Sequence, residues 1–332
     1  MTRIFRSLAT VLVLAVLAGS AWLGERWNFT APGPPLPRGA SETVVVVKPG
    51  DGLWTITERL RDAGVLRSDI LFALGVRLRR ESPLLKAGEY AIPSRVSMDD
   101  LADILITGTS IEHKFTAAEG LTSDMIANLL NHDPELTGAA QPAPEEGTLL
   151  PETYLFTRGA TRSSIVAKMR TAQEAFLDRA WEVRAPGLPF RSPRDAVTLA
   201  SVVEKETAIP EERRHIAAVF VNRLRLGMKL ESDPTVIYGI SKGYPLGRGI
   251  RASELLAPTP YNTYAVAGLP PTPICNPGKD SIAAVLNPER SADLYFVADG
   301  TGGHVFAATK RDHDRNVARW RRIESTALRI RP

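Results

Sequence analysis

Residues 192–227 read SPRDAVTLASVVEKETAIPEERRHIAAVFVNRLRLG, and this stretch decides both the fold and the site. It predicts two helices with clear start signals. Ser192 is a typical helix N-cap, Pro193 suits the first helical position, and Asp195 stands where a capping-box acid belongs. The second helix opens at Pro210 in the same manner and stops before the glycine that ends the stretch.

The apolar residues of both helices recur at the three- and four-residue spacing of a helix that buries one face. We expect these two faces to pack into the core of the main domain. The residues are Val197, Leu199, Val202 and Val203 in the first helix, and Ile216, Val219, Phe220 and Leu224 in the second.

The first helix also carries two acidic residues, Glu204 and Glu206. Two positions on a helix are about 200° apart in rotation, so these carboxylates cannot share one substrate atom. Glu206 continues the apolar series of Leu199 and Val202, and burial there would raise its pKa and keep it protonated as a general acid. The alternative is a structural role, in which Glu206 pairs with a buried arginine or caps a neighbouring element.

The 332 residues leave room for one or two domains with appendages, and 44% of them are hydrophobic, as in globular proteins. The single cysteine, Cys275, excludes an internal disulfide, so cysteine pairing does not indicate the redox compartment. Five scattered histidines lack zinc-site spacing, and no metal is expected. The net charge of +4, without a basic patch interleaved with aromatics, argues against nucleic acid, while attraction to an anionic polymer or membrane surface stays open.

The N-terminus contains a candidate membrane span. Basic residues precede an apolar run at positions 8–23, and Trp22 and Trp27 occupy the place of an interfacial aromatic belt. We therefore predict an uncleaved anchor over residues 1–24, with a cytoplasmic N-terminus. The alternative is a signal peptide that is cut after Ala21.

Two short segments follow the predicted anchor. Residues 25–40 are rich in proline and glycine and predict a stiff linker. Residues 41–108 predict a strand, two helices and a second strand, an order that resembles LysM-type modules, which bind glycans containing N-acetylglucosamine. A purely structural spacer is the alternative, since many small α+β units share this order. Residues 109–332 form the main domain, and the predicted class of the whole chain is α+β.

Two loop regions of the main domain carry candidate functional groups. EEGTLLPETYLF is predicted to be irregular and contains Glu152 and Tyr154, although glutamates in loops are usually only solvated. Beyond residue 227, ESDPTVIYG and APTPYNTYAVAGLPPTPICNPG place Tyr238, Tyr261 and other tyrosine and asparagine side chains among turn formers. Such a run suits a groove that holds sugar rings, and the alternative is a loop that its prolines merely stiffen.

Four motifs, in order, resemble the endolytic murein transglycosylases of the YceG-like family. They are EGTLLPETYLF, then ASVVEKET with ERRHIAAVFVNRLRLGMKLESDPTVIYG, then APTPYNTYAVAGLPPTPICNPG, and LYFVADGTGGHVFA. The chain departs from the family pattern at PETY, where PDTY is common, and at Asp314, where asparagine is common. The resemblance implies an inner-membrane enzyme with a periplasmic catalytic domain, which cleaves peptidoglycan strands internally and uses no cofactor or metal.

By residue matching, the catalytic glutamate is the second one in EKET, Glu206. The resemblance implies that it protonates the glycosidic oxygen and that a 1,6-anhydro end forms. Substrate-binding roles are hypotheses for Glu152, Tyr154, Asn222, Asp233, Tyr238, Tyr261, Asn262 and Tyr264. The implied partners are peptidoglycan strands and the inner membrane, with peptidoglycan synthases as candidates. A muramidase-type hydrolase, in which Glu152 or Asp233 positions water, and a non-catalytic glycan-binding scaffold remain as alternatives.

Overall fold

The computed structural model describes Gly24 and residues 28–108 and 110–330, with side chains through residue 325. Its helices and strands mix as α+β, which confirms the predicted fold class. The predicted anchor at 1–24 lies outside the described residues, apart from Gly24. No helix in the described part of the chain combines the length and apolar character that a bilayer span requires.

The described residues form two compact units. One contains the chain up to His113 together with Leu155–Ala160, and the other contains Lys114–Tyr154 and everything from Thr161 onward.

The first unit has the predicted order of strand, helix, helix and strand, followed by a third helix. Strands β1 and β2 are antiparallel, with Val45 opposite Tyr90. Ser97 is the N-cap of the third helix, because its side chain accepts a hydrogen bond from the backbone N–H of Asp100. The elements are β1 (Glu42–Val47), α1 (Leu53–Asp62), α2 (Asp69–Leu78), β2 (Gly88–Pro93) and α3 (Met98–Thr107).

The described part of the predicted linker packs against the first unit. Phe29 is 1% exposed and stacks on Phe72, with 6.2 Å between ring centroids. Leu36 is also buried in the same apolar core, and its backbone N–H donates to the hydroxyl of Ser94. These residues therefore contribute apolar burial to this unit.

The second unit is mainly helical. From residue 112 onward, the elements in chain order are β3 (Glu112–Thr116), α4 (Ser123–His132), β4 (Thr153–Thr157), α5 (Arg162–Glu182), α6 (Pro193–Glu206), α7 (Arg213–Arg225), α8 (Asp233–Ser241), α9 (Ala252–Leu256), α10 (Lys279–Leu286), β5 (Tyr295–Ala298), β6 (His304–Ala307) and α11 (Lys310–Ile330), and β3 pairs with β4.

The core of the second unit is built on α6, α7 and α10, which pack against one another. The side chain of Ser192 accepts the backbone N–H of Asp195, so the predicted cap of α6 is confirmed. Both predicted apolar faces are buried: Leu199 and Phe220 are at most 1% exposed. A short 3₁₀ turn, Pro210–Glu212, precedes α7.

Two stretches differ from the irregular structure that the sequence predicts. In EEGTLLPETYLF, the segment Thr153–Thr157 is strand β4, because it pairs with β3. In ESDPTVIYG, residues 233–241 form α8. Pro234 lies in the first turn of α8, where the missing N–H costs no helical hydrogen bond.

Candidate active site

Glu206 is the last residue of α6, and its carboxylate contacts the start of α8. The hydroxyl of Ser232 donates a short hydrogen bond to Oε1 of Glu206. Ser232 occupies the N-cap position of α8 but makes no side-chain cap there. Its hydroxyl is therefore committed to the glutamate instead of to its own helix.

Burial raises the pKa of Glu206 to about 7. The hydrogen bond from Ser232 opposes this rise, the negative charge of Asp233 adds to it, and His304 and Arg223 oppose it. Near neutral pH both protonation states of this carboxyl group are populated. It can give up a proton and take one back, as a group that serves as acid and then as base must do.

Arg223 of α7 fixes the segment that leads to Ser232. Its Nη1 donates to the carbonyl oxygens of Lys229 and Leu230 and to Oε2 of Glu231, and its Nε donates to the carbonyl of Leu294. Glu231 has a φ of 54°, in the left-handed region that non-glycine residues rarely adopt. Such strain is found where surrounding contacts hold it, and here those contacts position the residue that binds Glu206.

Asp233 and Tyr264 form a second pair beside Glu206. The phenol of Tyr264 donates to Oδ1 of Asp233 over 2.7 Å. Burial and this hydrogen bond raise the pKa of Tyr264 above its ordinary range, so it remains a donor at neutral pH. The pair places a carboxylate and a phenol at the same opening as Glu206.

Glu206 lines a cavity of about 420 Å³, together with Asp233 and Tyr264. The volume falls within the range of small-ligand sites. Its walls combine carboxylates, a guanidinium and apolar or aromatic side chains, which is a surface suited to a polar ring. The lining residues are Glu206, Arg223, Leu230, Glu231, Asp233, Tyr264, Phe296, Val297 and His313.

Glu204 has different partners from Glu206, as the helical rotation predicts. Its Oε2 accepts the backbone N–H of Gly278 over 2.9 Å, and its Oε1 lies 3.8 Å from a guanidinium nitrogen of Arg213. Gly278 precedes the first residue of α10, and Arg213 is the first residue of α7. Glu204 therefore joins elements of the core, and Glu206 faces the cavity.

The β5–β6 hairpin is held to the same end of the core by a histidine. The backbone N–H of His304 donates to Glu212, and Nδ1 of the ring lies 2.7 Å from the other oxygen of that carboxylate. The hydroxyl of Thr207, the residue after Glu206, also donates to Glu212. This network connects the end of α6 to the hairpin whose Phe296 and Val297 line the cavity.

Of the predicted substrate-binding residues, Asp233 and Tyr264 line the Glu206 cavity, and three others are engaged elsewhere. Glu152 is an exposed partner of Lys279, with 2.8 Å between the charged atoms. The hydroxyl of Tyr154 donates to the carbonyl of Leu150, and burial raises its pKa to about 12. Asn222 donates its amide to the carbonyls of Ser291 and Asp293.

The remaining three lie in the folded loop region around α8 and α9. Tyr238 is buried, and its hydroxyl donates to Oε2 of Glu146. Tyr261 packs against the ring of Tyr238, and its hydroxyl is bonded to Thr272 over 2.8 Å. The amide of Asn262 is 0% exposed, donates to three backbone carbonyls and accepts the N–H of Tyr264. These side chains stabilise the loop, and their contacts with substrate remain predictions.

Sequence reasoning missed Ser232, Arg223 and His304 as parts of the site. Only Ser232 has a recognisable local signal, because a serine before Asp-Pro marks a helix start. Its bond to Glu206 joins residues 26 positions apart in the chain. Within residues 114–154 and 161–325, no three histidine, cysteine, aspartate or glutamate side chains bring ligand atoms together as a metal site would require.

The fold and the cavity define an α+β protein in which Glu206, a glutamate with a raised pKa, lies at the end of a buried helix and faces a cavity. The model of the YceG-like family matches residues 45–319, so the chain belongs to this family. This confirms the resemblance that the four motifs indicate.

Proteins similar to this chain include two named endolytic murein transglycosylase. The one from Streptococcus pneumoniae is 29% identical over 93% of this chain and 64% of its own length. The one from Bacillus subtilis is 27% identical over 85% of this chain and 86% of its own. A crystal structure of a yceG-like protein from Listeria monocytogenes has a TM-score of 0.52 at 27% identity, and the match covers 83% of this chain and 98% of that one. The chain thus spans just under two thirds of the pneumococcal relative.

Proposed function

We propose that this chain is an endolytic lytic transglycosylase that cleaves peptidoglycan strands at the bond between N-acetylmuramic acid and N-acetylglucosamine. The observation that carries the proposal is the carboxyl group of Glu206, whose pKa burial raises to about 7 and which lines the 420 Å³ cavity. The names of the pneumococcal and Bacillus relatives support the substrate class.

The reaction needs one group that acts twice. Glu206 protonates the oxygen that leaves C1 of N-acetylmuramic acid, the C1–O bond breaks, and the substrate's acetamido group stabilises the cationic carbon. The Glu206 carboxylate then removes the proton of the sugar's 6-hydroxyl as that oxygen bonds to C1. The product is a 1,6-anhydro end, and Glu206 regains its proton. The intramolecular nucleophile has a high effective molarity, so no activated water is required.

Ser232 contributes to both halves of this cycle. Because its hydroxyl donates to Oε1, the acidic proton of Glu206 belongs on Oε2, toward the leaving oxygen. A hydrogen bond to a carboxylate is stronger than one to a neutral acid. Ser232 therefore stabilises the ionised intermediate state of Glu206 more than its starting state, which lowers the barrier to proton donation.

Asp233 supports the muramidase-type alternative, because a second carboxylate lines the Glu206 cavity. In a hydrolase this carboxylate would position water or attack C1 directly. In the structure, the Tyr264 phenol occupies Oδ1 of Asp233. We assign the pair to stabilising the cationic sugar, with the negative charge of Asp233 facing the developing positive charge.

Product analysis in ¹⁸O-labelled water separates the two reactions. The purified chain is incubated with isolated glycan strands, and the new ends are examined by mass spectrometry. We expect unlabelled 1,6-anhydro ends. Reducing ends that carry one ¹⁸O atom would establish hydrolysis and overturn the transglycosylase proposal.

We further propose that residues 1–24 anchor the chain in the inner membrane, with the catalytic domain in the periplasm and with a role in ending nascent strands. The support is the apolar run with its preceding basic residues and its tryptophans. Residues 41–108 are proposed to bind glycan in the manner of a LysM module. Cell fractionation with protease protection tests the anchor: recovery in the soluble periplasm would show that the N-terminal segment is cleaved.

A further inference from the structure

The second unit contains another cavity, which does not include Glu206. It measures about 520 Å³ and lies between the N-terminal end of α6, helix α5 and the loop at residues 145–148. This volume is again that of a small-ligand site. Val197 of α6 lines it, nine residues before Glu206. Nine residues are two and a half helical turns and about 14 Å, so this cavity opens on the opposite side of α6 from the catalytic carboxyl group.

A buried amide in this cavity lacks one of its hydrogen bonds. Gln173 of α5 lines the cavity and is 3% exposed. Its Nε2 donates to the carbonyl of Gly147 over 3.2 Å, which fixes the orientation of the amide. Its Oε1 has no partner among the described residues. A buried acceptor left unpaired costs about 1 to 3 kcal/mol, so a ligand N–H or O–H would find a strong site here.

Two unpaired charges of opposite sign flank this amide. Arg170 and Glu174 both line the cavity, one turn apart on α5. Neither side chain has a hydrogen-bond or ion-pair partner among residues 24, 28–108 and 110–325. A third and a fourth charge, Arg194 and Glu145, form an ion pair of 2.5 Å at the same cavity. The cavity therefore offers one free cation and one free anion to a ligand.

Apolar side chains complete the wall. Leu177 and Val197 line the cavity together with Pro273. Pro273 packs closely on Gly147, where an added Cβ would lie 2.5 Å from Cγ of the proline. This contact fixes the carbonyl group that holds Gln173. The apolar wall suits methyl-sized groups such as the side chain of alanine.

We propose that this cavity binds the peptide stem of peptidoglycan, a short peptide with free carboxylates, a free amine and alanine methyl groups; the assignment rests on the proposed function. Arg170 pairs with a stem carboxylate, Glu174 with the side-chain amine, and Gln173 Oε1 accepts a peptide N–H. An uncharged sugar would leave both charges unused. A phosphorylated ligand would meet the carboxylates of Glu145 and Glu174.

The position of the cavity relative to Glu206 determines which saccharide of the strand carries the bound stem. Because it opens away from Glu206, the bound stem belongs to a different saccharide from the one that is cut. Cross-linking converts the amine or a carboxylate of a stem into a peptide bond and removes the charge that Glu174 or Arg170 recognises. The cavity therefore selects strands that carry free stems.

Isothermal titration of the full chain in detergent with the free pentapeptide L-Ala-γ-D-Glu-meso-diaminopimelate-D-Ala-D-Ala tests the proposal. We expect saturable binding that Arg170→Ala and Gln173→Leu each weaken about tenfold, the loss expected for one charged or buried hydrogen bond. Arg179→Ala is the matched control, since Arg179 is exposed on the same helix and is not part of the cavity. Its binding should equal that of the wild type. The pentapeptide with acetylated amine and amidated carboxylates should not bind.

The proposal is overturned if the wild type shows no saturable binding, or if Arg170→Ala and Gln173→Leu bind the pentapeptide as the wild type does. Binding of a chitin tetrasaccharide that is lost in Arg170→Ala would assign the cavity to sugar and overturn it as well. If Gln173→Leu fails to fold by circular dichroism, the exposed variants Arg170→Ala and Glu174→Ala decide.

Cleavage of stem-free strands keeps this test separate from the proposed function. Cavity variants should cut such strands at the wild-type rate, while losing the preference for stem-bearing strands. A wild-type chain that cuts neither substrate would refute the transglycosylase proposal, and the pentapeptide titration would still report on the cavity.

Discussion

Ser232 and Glu206 form the central contact of the site: the serine hydroxyl donates to Oε1 of the glutamate, across 26 residues of sequence. This bond lowers the pKa of Glu206, while burial raises it to about 7. The two effects together place the carboxyl group in the range where it can serve as acid and then as base.

Replacement of Ser232 by alanine removes the influence that lowers the pKa of Glu206. In the proposed reaction Glu206 must be protonated at the start, so the alkaline limb of the kcat/KM profile should move to higher pH. The maximal rate should fall about tenfold, because the ionised state loses a charge-assisted hydrogen bond. A pH–rate profile on glycan strands measures both. An alkaline limb that moves to lower pH would show that Ser232 does not act on Glu206 in this way.

Replacement of Asp233 by asparagine should move the same limb in the opposite direction. The negative charge of Asp233 raises the pKa of Glu206, and the amide keeps an acceptor for Tyr264 without that charge. Activity should therefore begin to decline at lower pH than in the wild type. Exposed Asp178→Asn on α5 serves as the control and should leave the profile unchanged. An unchanged limb in Asp233→Asn would contradict the assignment.

The raised pKa of Glu206 also makes the stability of the chain depend on pH. Below about pH 4.5 the group is protonated in both the folded and the unfolded chain and contributes no difference. Between that pH and about 7 the unfolded chain loses its proton first, so the wild type loses stability as pH rises. The free energy of unfolding of Glu206→Gln, relative to that of the wild type, should therefore rise by up to about 3 kcal/mol between pH 4 and pH 8.

Urea unfolding at the two pH values measures this gain. Glu211→Gln is the control, because Glu211 is exposed and lies only five residues away. The free energy of unfolding of Glu211→Gln should equal that of the wild type at both pH values. If Glu206→Gln also tracks the wild type, the carboxyl group has an ordinary pKa.

The turn at Gly147 should tolerate no side chain. Its φ is +77°, and a Cβ there would lie 2.5 Å from Pro273 and 3.0 Å from Val197. Gly147→Ala should lower the free energy of unfolding by about 2 to 4 kcal/mol, since strain and overlap add. Gly187→Ala, at a φ of +70° with nothing within 4 Å, should cost only about 1 kcal/mol. Equal losses in urea unfolding would rule out the close packing.

Local signals in the sequence predicted much of the fold. The predicted cap at Ser192 is confirmed, because its side chain accepts the backbone N–H of Asp195. The apolar spacing of α6 and α7 predicted their buried faces, because helix periodicity directly reflects which side meets the core. The same rotation predicted that Glu204 and Glu206 have different partners, as the structure shows.

Other parts depend on contacts that no local pattern encodes. Strand β4 exists because it pairs with β3, and its five residues are too short for periodicity to identify. Helix α8 was obscured by Pro234 and by the tyrosine and glycine that follow it. The sequence predicted that the amide of Asn262 binds sugar. In the structure this amide donates to three backbone carbonyls, which the fold of its own loop brings together.

The most direct test of the central claim is product formation by Glu206→Gln on purified glycan strands, analysed by mass spectrometry and paired with a strand-binding assay. We predict that Glu206→Gln binds strands like the wild type and forms no 1,6-anhydro ends, while Glu211→Gln forms them at the wild-type rate. Continued release of 1,6-anhydro products by Glu206→Gln would show that another group is the acid.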